Sequence, residues 1–148
     1  MSAMSVEDQL AVGLQLLLAA LLSAVIGLDR ERFNYRAGLR THMLVGIGAC
    51  LFTALSIKAF PGGDPSRVAS QILPGIGFLG AGTILKMGAN IRGLTTAASI
   101  WATSSIGMAV GLGAWLLAII ASLTIWFTLA VVKRAEPHHT QEQNQMND

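Results

Sequence analysis

The chain has 148 residues, of which 53% are hydrophobic and 12% are charged, and its mean hydropathy is +0.58. A soluble domain usually carries about 25% charged residues, so this composition excludes most soluble enzymes. The formal net charge is only +2, and the basic residues flank apolar segments rather than lining one face, which argues against nucleic-acid binding. The composition predicts an integral membrane protein.

Five apolar segments are each long enough to cross a hydrocarbon core of about 30 Å as an α-helix. They comprise residues 10–28, 43–60, 68–85, 94–112 and 115–132. The sequence therefore predicts an all-α integral membrane protein, in which residues 1–134 form a bundle of five transmembrane helices. Residues 135–148 are polar, and we expect them to form a disordered cytoplasmic tail.

Lysine and arginine are distributed unevenly between the predicted loops, which sets the expected orientation. With the N-terminus outside and the C-terminus inside, the outer side receives only Lys58 and Arg67. The cytoplasmic side receives Arg30, Arg32, Arg36, Arg40, Lys86, Arg92, Lys133 and Arg134. The acidic start, Glu7 and Asp8, agrees with this orientation and disfavours the alternative that residues 1–28 are a cleaved signal peptide.

The loop after the first span, residues 29–42, is the densest charged segment. One interpretation is an interfacial anchor that contacts anionic lipid. If the first helix continues through it, Asp29, Arg32 and Arg36 follow at i+3 and i+4 and can pair. We expect no Mg²⁺ site at Asp29 and Glu31, because residues two apart diverge on a helix and the nearby arginines repel a cation.

Glycines punctuate the third predicted span. Gly75, Gly77 and Gly80 have the spacing of a dinucleotide fingerprint, but no strand precedes them. At membrane depth such glycines let helices pack closely, and Gly107 and Gly111 repeat this pattern in the fourth span. The alternative is that Pro74 interrupts the third helix and frees carbonyl groups to line a cavity or coordinate an ion.

A short cytoplasmic loop, residues 86–96, is predicted between the third and fourth spans, with Arg92 placed to pair with Asp29 or Glu31. Hydroxyl groups follow it in the fourth span, and we expect interhelical hydrogen bonds from them, with a polar path as the alternative. No nucleophile, base and orienting acid converge in the sequence, so we predict neither an enzyme nor a cofactor or metal site.

Four ordered motifs resemble the membrane domain of the MgtC/SapB family, over about residues 8–133. They are residues 27–32, 37–42, 75–82 and 92–101. The resemblance implies a multi-pass protein of the bacterial inner membrane, from a group labelled magnesium transport accessory proteins. Some members of that group are linked to growth in low magnesium and to survival inside host phagocytes.

The motifs and the features above together select the candidate functional residues. These are Asp29, Arg30, Glu31, Arg32, Arg40, Thr41, Gln71, Pro74, Gly75, Gly77, Gly80, Gly82, Arg92, Gly93, Thr95 and Thr96. The sequence departs from some members of the family in carrying Thr95 and Ala102 where they have asparagine and cysteine. It also has the polar tail where those members have a folded soluble domain.

Two functions follow as expectations. The first is a regulatory or accessory protein in magnesium homeostasis or stress adaptation, which acts through membrane partners. The second is an oligomeric transporter or channel for Mg²⁺ or another ion, through the glycine-rich third span. No Asp or Glu lies inside a predicted span, which favours the first, whereas backbone carbonyls can serve the second. The expected partners are membrane lipids, other membrane proteins and further copies of the chain, without nucleic acid.

Overall fold

The computed structural model describes residues 4–60 and 62–132. Its elements in chain order are α1 (Val6–Arg32), α2 (Leu39–Lys58), α3 (Ser66–Ala69), α4 (Ile72–Ala81), β1 (Leu85–Met87), β2 (Asn90–Arg92), α5 (Leu94–Gly111), α6 (Trp115–Phe127) and a π-helical segment (Thr128–Val132). The predicted helical architecture is confirmed for most of this part. The five membrane crossings and their orientation stay predictions, and the predicted tail, residues 135–148, lies outside the described residues.

By length and composition, α1 and α2 are the two described helices that could cross a membrane. Their 27 and 20 residues correspond to about 40 and 30 Å of helix. The Ser5 hydroxyl caps α1 by accepting from the Asp8 N–H at 3.1 Å. After α1, Asn34 adopts a positive φ of 54°, which turns the chain back towards α2. At the far end of the pair, the Lys58 ammonium group forms an ion pair with Asp8.

The third predicted span differs most from the prediction. In place of one helix over residues 68–85, the chain forms α3, then α4 of only ten residues, or about 15 Å. Pro74 does not interrupt α4, because it lies in the first turn, where its missing N–H leaves no intrahelical hydrogen bond unmade. The break comes earlier, at Ser70 and Gln71, because a proline cannot donate to the carbonyl four residues before it.

The loop predicted over residues 86–96 is also different, because its first half forms a β-hairpin. Leu85 pairs with Arg92, Lys86 with Ile91 and Met87 with Asn90 in an antiparallel ladder. Gly93 follows at a φ of 91°, and a Cβ there would collide with the Thr83 carbonyl group. Glycine is therefore required where the hairpin turns into α5.

Glycines bring α2 and α5 into close contact at the centre of the fold. A Cβ on Gly107 would collide with the Gly46 carbonyl oxygen, and one on Gly111 would lie 2.5 Å from the Cys50 carbonyl oxygen. This confirms the predicted close packing of the fourth span. Around this seam, α1 packs on α2 and α5, and α6 packs on α1 and α5. The buried apolar core comprises Ala19, Ile26, Cys50, Ile106, Val110 and Ala118.

Large apolar side chains are exposed on the outside of the bundle. Along α1, Leu10, Leu14, Leu17 and Leu21 are exposed at the i+4 and i+3 spacing of a single helix face. Exposed apolar side chains continue on α6, at Leu116, Leu117, Ile120, Leu123 and Phe127. Contiguous apolar surface of this kind is typical of a face covered by lipid or by another protein.

Candidate functional site

A buried polar cluster lies where the end of α1 and the starts of α2 and α5 meet. We call it the Arg30 cluster, and it consists of Arg30, Tyr35, His42, Thr96 and Ser99. Arg30, His42, Thr96 and Ser99 are each no more than 3% exposed. Buried polar groups are costly unless they form hydrogen bonds, so the bonds within this cluster determine whether the three helices fit together.

Arg30 contributes a positive charge to the interior of the fold. Its Nη2 donates to the Thr96 hydroxyl at 3.2 Å, and the Tyr35 ring centre lies 3.3 Å from its Cζ. Guanidinium groups stack favourably on aromatic rings, and the interaction strengthens away from water. The Arg30 Nε is buried without a hydrogen-bond acceptor among the described residues. The Tyr35 side chain and the Thr96 hydroxyl thus hold the charge, and the neighbouring Asp29 carboxylate stabilises it electrostatically without forming an ion pair among the described residues.

His42 connects the start of α2 to α5. Its Nδ1 lies 2.9 Å from the Gly38 carbonyl oxygen and its Nε2 lies 3.1 Å from the Ser99 hydroxyl. A carbonyl oxygen only accepts, so Nδ1 must carry a proton. The Ser99 hydroxyl also lies 2.8 Å from the Thr96 carbonyl oxygen. With one hydrogen, Ser99 either donates to Nε2 or donates to Thr96 and accepts from a doubly protonated ring.

The carboxylate of the next residue, Glu31, binds the start of α2 and is not part of the Arg30 cluster. Its Oε2 accepts from the Leu39 N–H at 2.6 Å, at the first residue of α2. Gly38, the N-cap residue, has no side chain to do this, and a Cβ on Gly38 would lie 2.7 Å from the same Oε2. Glu31 therefore caps α2, where the helix dipole favours a negative charge.

The helix period explains why Arg30 rather than its charged neighbours faces inward. Ala19, Ser23, Ile26 and Arg30 are all buried in α1 and follow at steps of four, three and four residues, which is one helix face. Asp29 is half-buried, and Arg32 is exposed. The segment predicted as a surface anchor thus sends one arginine into the core.

Of the predicted residues, Arg30 and Thr96 form a hydrogen bond with each other. Glu31, which follows Arg30 in the sequence, caps the start of α2. Many of the other predicted residues do not take part in the cluster's hydrogen bonds and are exposed: Arg32, Arg40, Thr41, Gln71, Pro74, Gly75, Gly77, Gly82, Arg92 and Thr95. Gly80 packs against α5, where a Cβ would lie 3.6 Å from Ala97. A Cβ built on Gly75 or Gly77 would have no atom within 4 Å. The prediction that these two glycines allow close helix packing is therefore wrong within this chain.

Two predicted ion pairs are absent from the described part of the chain. Arg92 pairs with neither Asp29 nor Glu31, since the ion pair found there joins Lys58 to Asp8. The pairing expected along Asp29, Arg32 and Arg36 required α1 to continue, but α1 ends at Arg32. Within α1, Asp29 and Arg32 form no ion pair either. The first and fourth predicted spans are linked by polar side chains, as expected, but through the hydrogen bond from Arg30 to Thr96 instead of an ion pair of Arg92.

Comparison with known families fits the ordered motifs that surround this cluster. The family model described as "MgtC family" matches residues 16–138. This chain belongs to the MgtC family. The resemblance seen in the sequence is thereby confirmed, and the Arg30 cluster lies within the matched region.

Among curated relatives, "Putative magnesium transporter YhiD" of Escherichia coli (strain K12) is 44% identical over 126 residues, which cover 80% of this chain and 59% of that protein. "Protein MgtC" of Salmonella typhimurium (strain LT2) is 47% identical over 112 residues, or 76% of this chain and 48% of that protein. The chain thus spans about half the length of these MgtC-family relatives. No solved structure matches it.

Sequence reasoning on this MgtC-family chain missed His42, Tyr35 and Ser99 as members of the site. A signal for His42 was present, since it precedes buried Val45, Gly46 and Ala49 at the i+3, i+4 and i+7 spacing of one helix face. The stacking of Tyr35 depends on the turn after α1 and had no such signal. Within residues 4–60 and 62–132, no group of three or more His, Cys, Asp or Glu side chains could hold a metal ion.

Proposed function

We propose that this MgtC-family chain is a regulatory or accessory protein of magnesium homeostasis or stress adaptation that acts by binding other membrane proteins. The observation that carries the proposal is the buried positive charge of Arg30 between α1, α2 and α5. A fixed cation in the interior repels Mg²⁺, whose pathways through membranes usually keep an acidic side chain at depth. A Mg²⁺ path through the bundle of one chain is therefore disfavoured.

The close contact between α2 and α5 supports the same conclusion. At Gly107 and Gly111 the α2 carbonyl groups leave no room even for a methyl group. A continuous channel along this seam would require the two helices to separate. The packing instead favours a rigid scaffold that presents its outer faces to partners.

Those outer faces also support the membrane placement that the proposal requires. The exposed leucine stripe on α1 and the apolar surface of α6 suit lipid or the helices of a partner. We propose five crossings of a bacterial inner membrane, with the N-terminus outside, the C-terminus inside and α3 with α4 forming the third as a broken segment. Self-association of the chain is part of this proposal.

The second candidate is an oligomeric ion carrier. The break between α3 and α4 favours it, because interrupted helices often line the substrate sites of transporters, and one relative is named a putative magnesium transporter. In this case the path would run between copies, along the glycines of α4, rather than through the Arg30 cluster.

Growth of a bacterial strain lacking the protein tests the proposed function. The strain would carry the native chain, Arg30→Gln, or the matched control Arg32→Gln, which changes an exposed arginine on the same helix turn. We expect the native chain and the control to restore growth in low magnesium and Arg30→Gln to fail at equal membrane abundance. The initial rate of Mg²⁺ uptake should stay within about twofold in all strains. Restored growth accompanied by a proportional rise in uptake would refute the regulator and favour the carrier.

A further inference from the structure

An apolar groove runs between α2 and α4 on the outside of the bundle, away from the Arg30 cluster. Its volume is about 530 Å³, and its lining includes Leu44, Gly48, Phe52, Ile72, Gly75 and Leu79. That volume lies within the range of about 300–1,000 Å³ that is typical of sites for small molecules. The groove is therefore large enough for a flexible apolar ligand.

Two glycines on opposite walls create this groove. A Cβ built on Gly48 or on Gly75 meets nothing within 4 Å, in contrast to the tight seam between α2 and α5. The short helix α4 packs mainly against α5 and has little contact with α2. The groove thus exists because two side chains are missing, and larger residues at either position would fill it.

A second cavity adjoins one end of the groove, and its lining includes charges of both signs. This second cavity, of about 460 Å³, shares Val68 and Gln71 with the groove and also contacts Asp64 and Arg67. Hydrogen bonds from the Ser66 hydroxyl and N–H to Asp64 Oδ1, at 2.7 and 2.8 Å, hold the pKa of this carboxyl below its usual value. Among the described residues, Asp64 and Arg67 form no ion pair with each other or with another side chain.

We propose that the groove and its charged end bind one phospholipid whose zwitterionic headgroup carries a primary ammonium group, as in phosphatidylethanolamine, because a quaternary ammonium has no N–H to donate to Asp64. The Arg67 guanidinium contacts the phosphate, the free Oδ2 of Asp64 accepts from the ammonium group, and one acyl chain lies along the groove between Gly48 and Gly75. Two unpaired opposite charges beside an apolar groove match this headgroup better than a purely anionic one. The inference rests on the membrane placement proposed above but is independent of the regulatory role.

Native mass spectrometry of the full chain in detergent micelles tests this site. Phosphatidylethanolamine, phosphatidylglycerol or phosphatidylcholine with identical acyl chains would be added in turn, and the lipid-bound fraction measured. Gly75→Leu and Gly48→Leu fill the groove. Gly77→Leu is the matched control, because Gly77 lies on the same helix with nothing within 4 Å of a Cβ but outside the groove. Arg67→Gln removes the phosphate contact, and Lys86→Gln controls for the loss of a positive charge elsewhere.

We expect phosphatidylethanolamine to bind at least about fivefold more than the other two lipids. Gly75→Leu, Gly48→Leu and Arg67→Gln should lower its bound fraction about fivefold, and Gly77→Leu and Lys86→Gln should leave it unchanged. Equal binding of all three lipids, or a preference for phosphatidylglycerol, would overturn the zwitterionic assignment. Equal effects of Gly75→Leu and Gly77→Leu would overturn the groove as the site. A chain absent from the membrane fraction would refute the membrane placement itself, whereas the growth test above fails or succeeds without reference to this lipid.

Discussion

The Arg30 guanidinium group of α1 donates to the Thr96 hydroxyl of α5 across 66 positions of sequence, with both side chains buried. This bond joins two helices that are far apart in the chain at the point where α2 also begins. A buried charge that depends on the Thr96 hydroxyl and the Tyr35 side chain is held by few interactions, so each of them should have a measurable effect.

Thr96→Val should lower the free energy of unfolding by about 1 kcal/mol, because it leaves the Arg30 Nη2 without its acceptor while keeping the side-chain shape. The matched control is Thr95→Val, which removes an exposed hydroxyl from the preceding position and should have almost no effect. Denaturant unfolding in mild detergent measures both. Equal stabilities of the two variants would contradict the account of Arg30.

The proton on His42 is predicted to be on Nδ1, since that nitrogen faces the Gly38 carbonyl oxygen. Nitrogen chemical shifts of ¹⁵N-labelled histidine distinguish the tautomers, in a chain whose other two histidines, His138 and His139, are changed to asparagine. We expect either the neutral ring protonated at Nδ1 or the doubly protonated ring. A neutral ring protonated only at Nε2 would show that the Gly38 contact does not form.

Gly107→Ala should destabilise the fold by about 1–3 kcal/mol, because its Cβ meets the Gly46 carbonyl group and lies 3.0 Å from the Ala49 Cβ. Gly48→Ala is the control on the facing helix, where the added Cβ meets nothing within 4 Å. That control should be neutral or stabilise by up to about 1 kcal/mol, through the better helix propensity of alanine. Unfolding of both variants in detergent measures the difference, and equal losses would argue against the glycine seam.

Glu31→Ala should speed hydrogen exchange at the Leu39 amide and cost about 1 kcal/mol, because the start of α2 loses its cap. Glu31→Gln keeps an acceptor oxygen and should recover part of the protection. Hydrogen exchange followed by mass spectrometry at the start of α2 measures the protection in each variant. An unchanged rate in Glu31→Ala would mean that the contact is absent in solution.

Much of the helical fold could be predicted from hydropathy and turn residues. The fourth and fifth predicted spans start at 94 and 115, as α5 and α6 do, because Gly93 and Gly113, both at positive φ, end the preceding elements. The prediction of one helix over residues 68–85 is wrong because mean hydropathy does not show where a proline forces a new helix to begin. The hairpin was missed because its strands have only three residues each, too few for an alternating pattern.

The candidate site could be predicted only in part from the sequence. The charged motif around Arg30 was visible, but its density suggested a surface anchor, and the inward position of Arg30 depends on the phase of α1 relative to its core face. Partners such as Tyr35 and Ser99 come from the turn after α1 and from α5, and their meeting is a result of tertiary packing. Spacing along the chain carries no information about such contacts.

We propose that this chain serves magnesium homeostasis without conducting Mg²⁺ itself. Mg²⁺ entry into proteoliposomes, followed with an entrapped indicator, tests it most directly, with the native chain and Gly77→Leu reconstituted at equal density and shown to be folded. We expect both to give the flux of protein-free liposomes. Flux through the native chain that disappears in Gly77→Leu would contradict it and would place an ion path along α4.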